Sequence, residues 1–311
     1  MSAFDLHHLQ SICTEFSLGD LLRIEQRLGG FANINLKIQT SKGFFVIRIL
    51  LEETETSRLK YAYGIISKLS SNGIPALTPI STKKGNSFSV LNGRLVQVTP
   101  FIEGFPFSGT PEQAQNNGRI LARIHQLLES VHETLSPNGV YSFLHLDPDS
   151  IVKGLQSQGH VLPNHNWGDI KDFYQWLCQE SYEPEGMPLT IIHGDWNPWN
   201  QLYTKNGEIN AVMDFDTLQR GERIFDIAYT LFFYLREQRL KALGKWFMQG
   251  YGPLTVQEIE NLPFLIAKIG LFFGIFTDIG KFSFNRNRPF LEWILSEEGK
   301  KFIREACHIE K

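Results

Sequence analysis

The sequence predicts an α+β chain in two lobes, a small antiparallel β-sheet lobe with one helix followed by a larger, mainly helical lobe. Three observations lead there. Short alternating runs separated by turn residues fill the first hundred positions or so. Helical spacing sets in at Pro111 and governs most of the remaining chain. The later strand-like runs gather around one polar stretch, "HGDWNPWN", at residues 193–200.

Taken in order, "DLLRIEQRLGGFANINLKIQTSKGFFVIRIL" reads as strand, glycine turn, strand, a turn at Ser41 to Gly43, and strand, an antiparallel meander. Next, Leu59, Ala62, Ile66 and Leu69 mark one face of a helix that stops at Asn72-Gly73, with prolines beyond. "STKKGNSFSVLNGRLVQVTPF" supplies two more strands. The change of character between Phe101 and Pro111 sets the expected boundary, residues 1–103 for the first lobe and 104–311 for the second. Within the second, "PLTII" is a short buried strand that delivers the polar stretch. "QLYT" and "INAVMDFD" then form a hairpin with Asn206-Gly207 at its tip. The apolar run from Leu262 to Gly280 approaches the length of a membrane span, but Lys268 and Asp278 interrupt it, so a buried core helix is expected.

Composition narrows the function classes. With 311 residues, 42% of them hydrophobic, the chain can bury a large core. Thirty basic against 33 acidic residues give a net charge of −3, no argument for a nucleic-acid surface, and no membrane partner is expected. Cys13, Cys178 and Cys307 are too few and too scattered for a disulfide framework or a metal cluster. The N-terminus lacks the pattern of a signal peptide, and a cytoplasmic location is the expectation.

"HGDWNPWN", then "AVMDFD", then "RIFDIAYTL" carry a resemblance. The chain resembles the aminoglycoside phosphotransferase and type II homoserine kinase group, whose signature is H-G-D-x-x-x-x-N followed by a strand ending in aspartate. "LGGFANINLKI", "FFVIRI", "TPFIEG" and "LARIHQLL" fall in the same order as in that group. The resemblance implies a bilobal protein-kinase-like fold and an ATP- and Mg2+-dependent kinase acting on a hydroxyl of a small amine-bearing or sugar-like metabolite.

The chemistry suits these residue types. Phosphoryl transfer asks the protein mainly for positioning and charge neutralisation, and magnesium takes hard oxygen ligands, one or two of them from protein. Asp195 is expected to orient the acceptor hydroxyl and accept its proton, with Asn200 and Asp214 as metal ligands. By the resemblance His193 supports the loop, and Asp226 bonds the catalytic loop or caps its helix. Asp216 is a second metal ligand or binds loop backbone. Trp196 packs the loop or stacks on substrate; Asp278 and Glu292 are candidate acceptor contacts.

In the first lobe, Gly29, Gly30 and Asn33 belong to the turn over the nucleotide phosphates, where glycine permits close approach and positive φ. Pro100 and Ile102 present backbone groups to adenine. Arg48 stands where related kinases carry a phosphate-binding lysine, and the glutamate that normally pairs with that residue from the helix is missing near residues 61 to 65. Glu55, ahead of the helix, is the nearest substitute. Two further readings stay open, a regulatory nucleotide-binding pseudokinase and a nucleotide-sugar glycosyltransferase using "DFD" as a D-x-D metal motif.

Overall fold

The computed structural model describes residues 6–307 apart from 30–32, 53, 134, 164–166, 181, 238–240 and 278–282. The chain divides into two compact units, Met1–Gly104 with Asn210–Asp216, and Phe105–Ile209 with Thr217–Lys311. Gly30 and Asp278 lie outside the described residues.

The first unit is a five-stranded antiparallel sheet. Its strands are β1 (Leu21–Leu28), β2 (Ile34–Thr40), β3 (Gly43–Ile49), β4 (Ser89–Leu91) and β5 (Arg94–Pro100), in the order β1-β2-β3-β5-β4. The unit holds two described helices where one was expected: α1 (Leu6–Glu15) precedes the sheet and α2 (Thr56–Ser71) follows β3. Leu9, Ile12 and Cys13 of α1 sit at helical spacing and pack with Ile38, Ile47, Ile49, Val96 and Val98 in one core. That inward set leaves Val46 and Arg48 on the other face of β3, by the two-residue alternation of a strand. Strand β8 (Ile209–Val212) feeds the rest of this unit. Val212 donates to Pro75 O at 2.7 Å and accepts from Leu77 N–H at 2.9 Å, forming a parallel bridge with Ala76. The linear boundary at 103/104 assigned residues 210–216 to the second lobe; their contacts group them with the sheet.

The second unit is mainly helical: α3 (Pro111–Leu128), α4 (Pro148–Ser157), α5 (Trp167–Leu177), α6 (Ile224–Leu235), α7 (Leu243–Tyr251), α8 (Val256–Phe276), α9 (Phe284–Leu295) and α10 (Glu297–Cys307). Strand β6 (Leu189–Ile192) pairs antiparallel with β9 (Gln219–Glu222), and β7 (Gln201–Tyr203) leads into the Asn206-Gly207 turn. Helix α3 begins with a capping box, the Thr110 hydroxyl taking Gln113 N–H at 3.3 Å, and Pro111 opens its first turn. Helices α3 and α7 pass unusually close, because a Cβ on Gly250 would stand 1.9 Å from Gln115 O and one on Gly118 2.1 Å from Phe247 O. Helix α8 is long and apolar enough to cross a membrane, yet 78% of its most apolar window is buried inside the unit, as expected of a core helix.

Candidate active site

The residues singled out by the sequence fall into two sets, one in each unit. In the helical unit, β6 brings its buried chain to His193, and the following backbone is pinned from three directions. Both oxygens of Asp226 accept loop amides, His193 N–H at 2.7 Å and Gly194 N–H at 2.9 Å. The Thr217 hydroxyl donates to His193 O at 2.8 Å. Gly194 has φ +80, and a Cβ there would meet Thr217 O at 2.6 Å, so this position requires glycine on both counts. Asp226 lies in the first turn of α6, which has no side-chain cap, so the capping role gives way to the loop bonds. It is fully buried and shares Oδ2 with His125 Nε2 at 3.1 Å, while His125 Nδ1 meets the Tyr251 hydroxyl at 2.9 Å. The close crossing of α3 and α7 is what brings His125 and Tyr251 together.

The loop ends in a bracketed carboxylate. Asp195 Oδ1 accepts Asn197 Nδ2 at 2.9 Å and Oδ2 accepts Asn200 Nδ2 at 2.8 Å. With its nitrogen on Asp195, the Asn200 amide turns its oxygen, the atom a hard cation prefers, away from that carboxylate. Beneath the loop Trp196 is 0% exposed and donates its indole N–H to Asn117 Oδ1 at 2.7 Å. A ring that is sealed in and hydrogen-bonded fits the packing of the loop, the first of its two readings, rather than stacking on substrate. Asn117 also donates to Gln201 Oε1 at 2.9 Å and to the Tyr203 hydroxyl at 3.2 Å, tying α3 to the strand that leaves the loop. Glu292 is partly exposed, pairs with Arg288 of its own helix at 2.8 Å, and borders a cavity of about 300 Å³ with Asp172, Phe173 and Trp176. Asn197, Asn117, His125 and Thr217 were not foreseen. Asn197 lies inside the motif itself, and His125 lies within "LARIHQLL", buried on the face of α3 that carries Leu121, Ile124 and Leu128.

In the sheet unit the central residue is Arg48, flanked on β3 by Asn35 of β2 and Gln97 of β5. Its guanidinium forks onto Asp216, Nη1 to Oδ1 at 3.2 Å and Nη2 to Oδ2 at 2.6 Å, and Nη2 also reaches Asp214 Oδ1 at 3.3 Å. Burial works against this charge, but Asp216 and then Asp214 outweigh it, holding Arg48 above the ordinary arginine value. Asp216 therefore bonds a side-chain cation. Asp214 has φ +62, a left-handed backbone rare for a non-glycine residue. Asn33 bridges Leu51 N–H at 3.2 Å and Asp216 Oδ2 at 3.2 Å. Glu55 instead accepts the Ser57 hydroxyl at 3.1 Å, so the substitute partner expected for Arg48 is replaced by Asp216. Gly29 does not adopt positive φ, and a Cβ there would meet nothing within 4 Å among the described residues. Pro100 closes β5 opposite Phe45, and Phe101 N–H, between Pro100 and Ile102, is spent on Phe44 O at 3.0 Å.

The donor set suits a hard divalent ion. Among the described residues no group of three or more His, Cys, Asp or Glu could hold a metal ion. Taken singly, the Asp214 carboxylate of the sheet unit and the Asn200 amide oxygen of the helical unit are hard oxygens of the kind such an ion takes.

A five-stranded antiparallel sheet with one helix inserted after β3, followed by a helical unit with a clamped H-G-D loop, defines a phosphotransferase of the protein-kinase-like fold. The model of the phosphotransferase enzyme family matches residues 23–263, and the chain belongs to that family. Curated relatives include homoserine kinase of Rhizobium etli, 24% identical with 94% of this chain and 87% of the relative covered. Homoserine kinase of Polaromonas naphthalenivorans is 26% identical, covering 80% and 79%. Similar solved structures include a microcompartment-associated aminopropanol kinase, TM-score 0.72 at 15% identity over 96% of this chain and 100% of that one. An amicoumacin kinase in complex with AMP-PNP, Ca2+ and Ami gives TM-score 0.67 at 15% identity, covering 98% and 94%.

Proposed function

We propose that this phosphotransferase is an ATP-dependent kinase that uses Mg2+ and phosphorylates a hydroxyl of a small amine-bearing or sugar-like metabolite, homoserine and amino alcohols first among them. The observation that carries the reading is the Asp195 carboxylate, gripped by Asn197 and Asn200 at the end of a loop whose backbone is fixed by Asp226. A carboxylate held this way can orient an alcohol O–H and take its proton as the oxygen attacks phosphorus. Asn200 and Asp214 would hold the cation, whose charge neutralises the phosphates. Arg48 would bind phosphate oxygens, with Gly29, Gly30 and Asn33 in the turn over them, and Pro100 and Ile102 beside adenine. The homoserine kinase relatives support an amine-bearing acceptor, and three unpaired cysteines support work in a reducing, cytoplasmic setting. Nothing in the charge balance calls for a nucleic-acid or membrane partner.

The pseudokinase reading draws on the missing helix glutamate, whereas Asp195, Asn200 and Asp214 are all retained. The glycosyltransferase reading needed an α/β domain upstream, and an antiparallel sheet stands there. An ADP-release screen over homoserine, amino alcohols, choline, methylthioribose, hexosamines and aminoglycosides tests the proposal. At least one acceptor is expected to stimulate release, and Asp195→Asn to lower kcat by about a hundredfold or more. No stimulation by any acceptor, or full activity of the variant, contradicts it.

A further inference from the structure

Two departures meet in the sheet unit, an arginine where lysine is usual and a helix without its carboxylate. Helix α2 reads TSRLKYAYGIISKLSS and contains neither aspartate nor glutamate. The Arg48 side chain is only 20% exposed, so its charge needs a fixed partner. That partner comes from the short 3-10 turn Phe215–Thr217, which sets the Asp216 carboxylate edge-on to the guanidinium in two parallel bonds of 3.2 and 2.6 Å. Asn33 fixes the other side of the arrangement, taking Leu51 N–H on its oxygen and donating to Asp216 from its nitrogen.

We propose that Asp216 is the positioning residue for the phosphate-binding arginine, taking over the task of the absent helix carboxylate, with Asn33 as its brace. This deepens the kinase reading and rests on it. The two departures then explain each other. A planar guanidinium can give two parallel bonds to one carboxylate and still offer further N–H groups to a phosphate, whereas a lysine offers a single point charge with no fork. Nη2 is shared with Asp214 through the longer 3.3 Å contact. When a cation binds Asp214, that contact is the one to be given up, while the fork on Asp216 keeps Arg48 in place.

The test uses the full chain with ADP, titrated calorimetrically in EDTA and again with Mg2+. Asp216→Asn and Arg48→Lys are each expected to weaken metal-free ADP binding about tenfold. The double variant is expected to be about as weak as either single one, because both remove the same fork. Asn33→Ser, a milder change, is expected to weaken it a few-fold, and Glu55→Gln to leave it unchanged. Thermal melting restricts the comparison to folded variants. If Asp216 acts only on the metal, Asp216→Asn and Asn33→Ser will bind ADP normally in EDTA and lose only the gain from Mg2+, which overturns the proposal. Independent, multiplying losses in the double variant overturn it as well. Wild-type protein that binds no ADP in either buffer overturns the kinase reading itself, a result separate from the other two.

Discussion

Asp226 is a fully buried carboxylate with three partners. Its two oxygens receive two backbone amides and a histidine nitrogen with no exposed surface at all. Changing it to asparagine keeps the volume but points an amide N–H2 at one of those donors and removes the charge that strengthens the rest. The expected cost is about 2–4 kcal/mol of stability. Thermal melting is expected to show a fall of several degrees in Asp226→Asn, and kinetics a larger loss in kcat than in KM, since the loop that carries Asp195 loosens while nucleotide contacts remain. An unchanged melting curve would contradict the clamp. At this scale the motif singled out Asp195 as the proposed base and Asn200 and Asp214 as the proposed metal ligands, because these residue types suit phosphoryl transfer around a hard cation. The partners that hold them were less legible. Asn197 reads as an ordinary turn residue and His125 as one more residue on a helix face, and only folding shows what each one grips.

Among the elements, α1 shows a signal that was present and unread: Leu9, Ile12, Cys13 and Phe16 are spaced for a helix and seal one face of the sheet. Helix α8 shows the reverse, a charge whose meaning depends on what packs around it. Lys268, read as an interruption of an apolar run, is 3% exposed, donates to Leu146 O at 2.6 Å and lies 4.4 Å from the Tyr174 ring centre. Burial pushes its ammonium down from 10.5 to about 8. Between those two pH values the unfolded chain still holds a proton that the folded chain has released, so stability rises with pH through this window. Below about 8 the whole cost of the buried charge is present. Lys268→Met removes this dependence. In denaturant titrations at pH 7 and pH 10, wild type is expected to gain on the variant at the higher pH. A constant difference would contradict the assignment.

For the whole molecule, the chain passes from the sheet unit to the helical unit after Gly104, returns at Asn210 and leaves again after Asp216. That return places the acidic pair on the same unit as Arg48. A linear reading could not find it, because it rests on non-local contacts with no periodic signature, the parallel bridge between Ala76 and Val212 and the bonds of Arg48 and Asn33 to the acidic pair. The turn-bounded runs of β1 to β5 and the helical spacing after Pro111 were legible because turn residues and helical periodicity are local signals. In the proposed reaction the terminal phosphate of ATP moves onto an alcohol and Asp195 takes the proton. Following the phosphorus directly by 31P NMR, in a mixture of protein, ATP, Mg2+ and the acceptor that stimulates ADP release, tests it most plainly. A phosphomonoester signal is expected to grow in step with ADP for wild type and to be absent for Asp195→Asn over the same period. Inorganic phosphate as the sole product, or the same phosphomonoester from both proteins, would contradict the account.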